Sequence, residues 1–340
     1  MTVLETRTVC LQCVDTHNAI SPFSTRISGA IDFEIMSHTV YGDESGPSLY
    51  VGGCMHGDEL NGAAAALQLL QIIQAQNLRG TVVLVPIQSP LAFNFRERLN
   101  PFDPIDPDWV YPGSNTGTYS QVLKHTLVAL ASGADCVIDL HSAGRGGANA
   151  PMVYCPPETG NGSGHRSLYL SRQFGGDIII FGQSERDYDW PVEFTLPFVA
   201  AREGRAGIYA EAGTGGAGIP DSEFVRFFVN GVVNVMRAMG MISGVVLENG
   251  PKLVINPTRP QHHIVCPVSG IVLPAVSVGD RVQVGDCIAV IWNSIGKSQE
   301  IIAPSAGMVR FLNMFGSCGE GDRLVTLSPL DQECEGSAGL

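Results

Sequence analysis

The chain has no long hydrophobic run, which argues against a membrane-spanning helix. None of its apolar stretches approaches the roughly 18 residues that such a helix needs. The first residues, MTVLETRTVCLQCVDT, mix polar and apolar types and include Glu5 and Arg7, so they lack the apolar core of a signal peptide. We therefore expect no membrane partner and a cytoplasmic location.

Positive charge is scarce. The 340 residues include 20 Lys and Arg against 33 Asp and Glu, which gives a net charge of −13. Nucleic acids and anionic membrane surfaces attract basic proteins, so an acidic chain of this kind is a poor partner for either. We expect a small-molecule substrate and no nucleic acid.

The cysteines do not form a disulfide pattern. There are nine, an odd number, and they are spread along a large chain. Cys10 and Cys13, with His17 nearby, could be half of a zinc knuckle, but no second cysteine pair has the matching spacing. Cys54 could be a soft metal ligand, although a small apolar packing role is the simpler interpretation.

Strand-like and helix-like segments alternate from residue 31 to residue 245. At roughly 150 residues per domain, the length allows two domains. The alternation predicts an α/β fold with a mostly parallel, twisted sheet flanked by helices over 31–245. Residues 1–30 show no clear period and are interpreted as an N-terminal arm or edge strand. The segment 145–165, rich in Gly and Pro, is predicted to be a loop.

Residues 246–340 have a different character and are predicted to form a C-terminal β domain. Two similar halves, 267–291 and 304–327, each open with Pro-x-x-Gly-x-Val and each contain a Gly-Asp pair before a β-like run. This repeat of short strands and tight turns resembles the lipoyl/biotinyl-type β-barrel sandwich. The resemblance implies a small all-β domain that shapes the active-site entrance or the oligomer.

Three residues could hold a metal ion. His56 and Glu59 lie three apart between a strand-like run and a strongly helical one, and His141 ends the predicted strand in ADCVIDLHSAG. Ligands of open α/β sheets bind beyond the carboxyl ends of the strands, where these side chains would meet. Imidazole nitrogen and carboxylate oxygen are ordinary zinc ligands, and a catalytic zinc takes three of them. We expect one Zn²⁺ per chain, although His141 alone could equally be a capping or core histidine.

Glu211 is the candidate general base. It ends the apolar run of GIYAEAGTGGAG and precedes a glycine-rich loop. A carboxylate at a strand end beside a metal suits a group that accepts a proton during hydrolysis. The alternative is a surface glutamate or an acceptor that stabilises the loop.

Taken together, these motifs resemble the succinylglutamate desuccinylase/aspartoacylase family of the zinc carboxypeptidase-like superfamily. The matching segments are HGDE at 56–59, DLH at 139–141, AEAG at 210–213 and parts of 89–113. The resemblance covers roughly residues 30–330. It implies that Arg98 polarises the substrate carbonyl, and it aligns Tyr111 with the family's F-P-G motif.

The chain departs from this family at the carboxylate clamp. Where the family has D-L-N-R, the sequence reads Asp106-Pro107-Asp108-Trp109. In aspartoacylase-like enzymes the Asn-Arg pair holds the α-carboxylate of the substrate, but Trp109 offers no guanidinium fork. With Tyr111, these residues are candidates for substrate binding, and an acidic and an aromatic side chain suit a cationic or neutral group. Another arginine could instead replace the clamp; the candidates are Arg96, Arg145, Arg202 and Arg205.

The sequence thus predicts a metal-dependent hydrolase that cleaves a linear amide in a small N-acylated amine or amino acid. A zinc carboxypeptidase that acts on small peptides is one alternative, and a non-enzymatic binding protein on the same fold is another. The resemblance also implies a homo-oligomer, either a dimer or a tetramer.

Overall fold

The computed structural model of the protein describes most of the chain beyond residue 32 and the backbone of two strands before it. The described ranges are 4–7, 20–27, 33–74, 76–181, 191–214, 218–247, 253–255 and 262–330. Cys10, Cys13 and His17 lie outside these residues, so the zinc-knuckle alternative is not addressed by the structure.

Strands and helices alternate through the first two thirds of the chain, and short strands fill the last third. The strands are β1 (Leu4–Arg7), β2 (Ile20–Ile27), β3 (Phe33–Tyr41), β4 (Glu44–Gly53), β5 (Arg79–Val85), β6 (Cys136–His141), β7 (Gly147–Cys155), β8 (Ile178–Phe181), β9 (Ala206–Gly213), β10 (Leu253–Ile255), β11 (His262–Val265), β12 (Gly270–Pro274), β13 (Arg281–Val282), β14 (Cys287–Trp292), β15 (Ser298–Ile302), β16 (Gly307–Asn313), β17 (Ser317–Cys318) and β18 (Arg323–Pro329). The α-helices are α1 (Leu60–Gln74), α2 (Pro90–Phe95), α3 (Tyr119–Ala131), α4 (Ser163–Phe174), α5 (Leu196–Arg202) and α6 (Ser222–Ala238), and short 3-10 turns cover Pro107–Trp109 and Val192–Phe194.

The main sheet confirms the predicted α/β class. Its strands follow the order β1-β2-β3-β5-β4-β6-β9-β7-β16-β18-β11. The centre, β5-β4-β6-β9, is parallel, as the alternation predicted, whereas antiparallel strands flank it on both sides. The sheet as a whole is therefore mixed. Every residue of β6 is buried, as expected for a central parallel strand covered on both faces.

Helix α1 fixes the position of the HGDE segment that precedes it. Its buried face is built from Ala63, Ala65, Ala66, Leu69 and Ile73, at helical spacing. The helix approaches β6 closely, because a Cβ on Gly62 would lie 2.5 Å from the Leu140 carbonyl oxygen.

Within the described residues, no helix is long and apolar enough to cross a membrane.

The C-terminal β domain is a two-layer sandwich that shares the main sheet. Strands β15-β14-β12-β17 form a separate antiparallel sheet. Its Val272 and Ile291 pack against Val309 and Leu327 of the layer that contains β16 and β18. Strand β16 in turn pairs with β7. The β domain is therefore joined to β7 of the main sheet by backbone hydrogen bonds.

One sequence-based prediction about this region is wrong. The segment 145–165 was expected to be a loop, but it contains β7, which lies between β9 and β16 and connects the two halves of the molecule. Pro151 explains the misleading signal, since proline removes a ladder hydrogen bond. It occupies an irregularity of the β7–β9 ladder, where the register shifts between Asn149 and Met152.

We expect Gly57→Ala to displace the HGDE segment, because a Cβ at Gly57 would collide with the backbone of Ala92 and Phe93. Overpacking against backbone costs about 1–3 kcal/mol. Urea denaturation should therefore show a lower free energy of unfolding. Gly133→Ala is the matched control, since a Cβ there meets nothing within 4 Å. Equal stability of the two variants would contradict the close approach at Gly57.

Candidate metal centre and active site

The candidate residues converge at the carboxyl ends of neighbouring parallel strands. His56 and Glu59 follow β4, and His141 is the last residue of β6. Strand β9 runs beside β6 in a register that places Glu211 opposite His141. The sheet thus brings together four residues that are far apart in the sequence, at the edge where ligands of such sheets bind.

The Glu59 carboxylate is the centre of this cluster and is buried. Its Oε1 lies 2.9 Å from His56 Nδ1, and its Oε2 lies 3.1 Å from His141 Nδ1. Oε2 also accepts a hydrogen bond from the Ser142 backbone N–H at 2.9 Å, and Arg98 donates to Oε1 at 2.7 Å. The three predicted ligands therefore face one another through their donor atoms.

The outer nitrogens of both histidines face further carboxylates. His56 Nε2 lies 3.2 Å from Asp106 Oδ1, and His141 Nε2 lies 3.5 Å from Asp139 Oδ1. Asp139 is itself held by Gln88, whose amide donates to it at 2.6 Å. Metal-ligating histidines commonly have such outer carboxylates, which orient the ring and make it more basic.

The electrostatics of this cluster favour a cation. Burial and Arg98 lower the pKa of His56, but the carboxylates of Glu59 and Asp106 outweigh them and raise it to about 9. For His141, burial again opposes protonation, and Asp139 and Glu59 raise the pKa well above its usual value. Both imidazoles thus lie in a field that stabilises positive charge. The nitrogen and oxygen donors are those that zinc prefers, so these residues fit the predicted ion.

A second carboxylate competes with Glu59 as the third ligand. His56, Asp108 and His141 form a group in which one potential ligand atom from each lies within 4.8 Å of the others. Asp108 Oδ2 lies 3.7 Å from His141 Nε2, and neither atom has a hydrogen-bond partner among the described residues. Glu59 lies closer to both histidines. Cys54 is a weaker candidate, because burial raises the pKa of its thiol and its Sγ donates to the His56 carbonyl at 3.4 Å.

Glu211 lies beside these residues in a setting that suits a general base. Its Oε2 accepts a hydrogen bond from the side-chain amide of Asn149 on β7. Burial, together with the negative charge of Glu59, raises its pKa to about 7. A base is most effective when its pKa lies near the working pH. The sequence did not suggest Asn149, because it lies in the segment predicted to be a loop.

Arg98 reaches the site from the long loop after α2. Its side chain is 48% exposed, and besides Glu59 it contacts Asp106 Oδ2 at 3.3 Å. Two carboxylates therefore hold its guanidinium at the mouth of the site. Arg98 also lines the cavity of the candidate site.

The three predicted substrate residues occupy different environments. Asp108 is 1% exposed, and its Oδ1 lies 3.4 Å from the ammonium of Lys124, which is fully buried in α3. Lys124 therefore balances the negative charge of Asp108, the charge from which the sequence predicted a cationic or neutral substrate group. Trp109 is half-exposed and lines the cavity. Tyr111 does not line it: Arg202 lies over its ring, 4.8 Å from the centroid.

The candidate site opens into a cavity of about 380 Å³ with walls from both domains. This volume is typical of sites for small ligands. One wall carries His56, Glu59, Arg98, Asp108 and Glu211. The β domain contributes a second wall, with His263, Arg310, Phe311 and Arg323.

The arginines proposed from the sequence as a replacement clamp lie elsewhere. Arg96, Arg145, Arg202 and Arg205 are all described, and none of them lines the cavity. Arg145 donates to the Arg96 carbonyl at 2.8 Å, and Arg205 donates to the Ala131 carbonyl at 2.7 Å. The additional arginines of the cavity come from the β domain, which the family motifs did not cover.

The chain matches a family model described as the succinylglutamate desuccinylase/aspartoacylase catalytic domain over residues 45–239. It is also 24% identical, over 257 residues, to the N-alpha-acetyl-L-2,4-diaminobutyric acid deacetylase of Halomonas elongata. That alignment covers 75% of this chain and 73% of the relative.

Two solved structures share the fold over nearly the whole chain. A succinylglutamate desuccinylase/aspartoacylase from Rhodobacter sphaeroides superposes with a TM-score of 0.79 at 24% identity, covering 94% of this chain and 98% of that one. The product-bound ectoine utilization protein EutE (DoeB) from Ruegeria pomeroyi gives a TM-score of 0.80 at 18% identity, covering 95% and 98%. Both similarities extend into the C-terminal β domain.

The buried pair of Asp108 and Lys124 generates a stability prediction. Lys124→Met should leave the Asp108 carboxylate buried without its cation, which costs about 3–5 kcal/mol. Chemical denaturation should show this loss in the free energy of unfolding. The double variant Asp108→Asn/Lys124→Met is the control and should recover much of it, because no isolated charge remains. If Lys124→Met proves as stable as the wild type, the pair does not act as a buried ion pair.

Proposed function

The chain belongs to the succinylglutamate desuccinylase/aspartoacylase family, and we propose that it is a zinc-dependent deacylase. Its substrate is a small N-acylated amine or amino acid, and the bond it cleaves is a linear amide other than a peptide bond. The observation that carries the proposal is the placement of Glu211 beside the cluster of His56, Glu59 and His141, in a cavity of small-ligand size.

His56, Glu59 and His141 would hold one zinc ion. When bound, the ion would lower the pKa of a water molecule and polarise the substrate carbonyl. Asp106 and Asp139 orient the two imidazoles, because each carboxylate lies near the Nε2 atom of one histidine. The proposed ligand set uses Glu59 rather than Asp108, because Glu59 lies within 3.1 Å of both Nδ1 atoms whereas Asp108 is engaged by Lys124.

Glu211 would move the proton that amide hydrolysis requires. As water adds to the carbonyl carbon, a proton passes to the Glu211 carboxylate. When the C–N bond breaks, Glu211 returns that proton to the leaving nitrogen, which gives a carboxylic acid and an amine. Transfer of the acid proton to the amine then gives the carboxylate and the ammonium that are released. Asn149 holds the Glu211 carboxylate in place for both of its proton transfers. Arg98 would donate to the developing oxyanion, a type of contact worth about 3 kcal/mol in a dry site.

The wall near residue 109 favours substrates without a carboxylate at that point. Trp109 is half-exposed in the cavity and offers an aromatic face, and Lys124 is fully buried and paired to Asp108. A cation gains about 0.5–2 kcal/mol over such a ring. We therefore propose that the group bound beside Trp109 is neutral or cationic. The Halomonas relative, named for an acetylated diamino acid, supports this choice.

The cytoplasmic location and the homo-oligomeric state remain predictions from the sequence.

The metal ligands can be tested by comparing three variants. We expect the purified wild type to contain about one zinc per chain, as inferred from a three-ligand site. His141→Ala and Glu59→Gln should lose the metal, whereas Asp108→Asn should retain it. Elemental analysis of each purified protein measures this directly. Retention of zinc in Glu59→Gln together with its loss in Asp108→Asn would identify the alternative set of His56, Asp108 and His141.

The substrate class can be tested with a panel of N-acyl compounds. We expect release of acetate from N-acetyl-2,4-diaminobutyrate and from N-acetyl-1,3-diaminopropane. N-acetylaspartate and N-succinylglutamate should be poor substrates, because a second carboxylate near Trp109 would lack a cation. An N-acylated dipeptide in the same panel tests the carboxypeptidase alternative. A dicarboxylate as best substrate would contradict the proposed specificity, and no hydrolysis by the zinc-loaded protein would favour a binding role.

Glu211→Gln is the catalytic control for this panel. The amide is nearly isosteric but cannot accept the proton, so kcat should fall by about 10²–10⁴-fold while zinc is retained. Glu203→Gln, at an exposed carboxylate outside the cavity, should leave turnover unchanged. If Glu211→Gln keeps the wild-type kcat, another group is the base.

A further inference from the structure

We propose that Arg310 and Arg323 of the C-terminal β domain bind a carboxylate of the substrate and so make the site selective for N-acyl amino acids over N-acyl amines. This inference rests on the proposed deacylase function. It assigns to the β domain the clamp that residues 108 and 109 do not provide.

Arg310 is directed into the cavity by an irregularity in its strand. Two residues of β16 correspond to one step of β18, since Val309 pairs with Leu327 and Phe311 pairs with Thr326. Arg310 is the extra residue of this bulge, a feature that redirects side chains near active sites. As a result Val309 and Leu312 both pack into the β-domain core, whereas Arg310 and Phe311 both line the cavity.

The bulge places Arg310 next to the catalytic groups. Its neighbour Phe311 pairs across the sheet with Asn149, the residue that donates to Glu211. Arg310 is 5% exposed, so its charge lies within the cavity wall rather than in bulk solvent. A buried guanidinium interacts strongly with an anion because water screens it poorly.

Arg323 extends this positive wall to the rim. It begins β18, beside β16, and its guanidinium lies 4.1 Å from the centre of the Phe311 ring. Stacking on an aromatic face restricts the planar fork to a few orientations. Arginine suits this role because the fork binds both oxygens of a carboxylate.

The two walls of the cavity therefore have different chemistry. The hydrolase wall contains Glu59, Asp106, Asp108 and Glu211, and its Arg98 is engaged by two of these carboxylates. A substrate carboxylate would meet repulsion there. The β-domain wall presents two arginines and His263, and no acidic residue among the described part of this domain lines the cavity. An acylated amino acid would place its carboxylate on this side.

The test compares two compounds that differ only in the carboxylate, N-acetyl-2,4-diaminobutyrate and N-acetyl-1,3-diaminopropane. The wild type should prefer the first. In Arg310→Gln, kcat/KM for the first compound should fall by about 10- to 150-fold. This is the factor expected from the loss of one hydrogen bond to a charged group. The loss should come mainly from a higher KM, because the carboxylate is bound before and during the reaction. Turnover of the second compound should stay close to that of the wild type.

Further variants separate the carboxylate clamp from other roles of Arg310. Arg310→Lys should recover part of the loss, since it keeps the charge without the fork. Arg323→Gln should have a smaller effect that weakens at high salt, because Arg323 is exposed at the rim. Arg281→Gln, on β13 beside β16 and outside the cavity, is the matched control and should leave both substrates unaffected.

Equal losses on both substrates would overturn the inference, because Arg310 would then act on Glu211 or on the fold. A wild type without preference for the carboxylated compound would overturn it as well. Calorimetric binding of the free products, 2,4-diaminobutyrate and 1,3-diaminopropane, makes the same comparison without turnover. Carboxylate-selective binding that depends on Arg310, in a protein without hydrolytic activity, would refute the proposed function and support the clamp. If Arg310→Gln fails to fold, Arg310→Lys and Arg323→Gln decide the question.

Discussion

The Glu59 carboxylate is the constraint on which the site depends. Burying an isolated carboxylate costs several kcal/mol, so its oxygens require partners. His56, His141, the Ser142 N–H and Arg98 supply them. Because these partners come from the start of α1, the end of β6 and the long loop after α2, a single buried anion fixes three distant segments relative to one another. The same geometry presents two nitrogens and a carboxylate to a metal ion.

The second organising feature is one continuous sheet. Strands β6, β9, β7 and β16 are successive neighbours, and each contributes at least one side chain to the site, including His141, Glu211, Asn149 and Arg310. Backbone hydrogen bonds at strand spacing therefore set the distances from the metal cluster to the base and from the base to the β-domain arginines. The β domain is thus part of the wall of the candidate site, and the pairing of β16 with β7 holds it there.

The sequence predicted those parts of the site that are encoded locally. The HGDE segment, the strand-end histidine and the strand-end glutamate each stand beside a recognisable helix or strand, so both the α/β class and the convergence of His56, Glu59, His141 and Glu211 were expected. Lys124 and Arg310 were not expected, because their roles arise from long-range packing. Lys124 looks like an ordinary polar residue of a surface helix, and Arg310 lies at a bulge that no alternation pattern reveals. Strand β7 was missed because glycines and a proline interrupt its apolar run.

The departure from the family motif at 108–109 can be understood through charge. Asp108 in place of an uncharged residue would place an isolated anion in the interior, and Lys124 reduces that penalty by pairing with it. The loop can therefore remain packed against the metal cluster without the guanidinium that the family has at position 109. An amino acid substrate still has a carboxylate that needs a cation, and Arg310 and Arg323 of the β domain also line the cavity. In the proposed arrangement, moving the clamp to the β domain changes which substrates bind, while the candidate metal ligands and Glu211 keep their own partners. In this proposal, the residues that determine specificity come from the β domain, and those that carry out the chemistry come from the parallel centre of the same sheet.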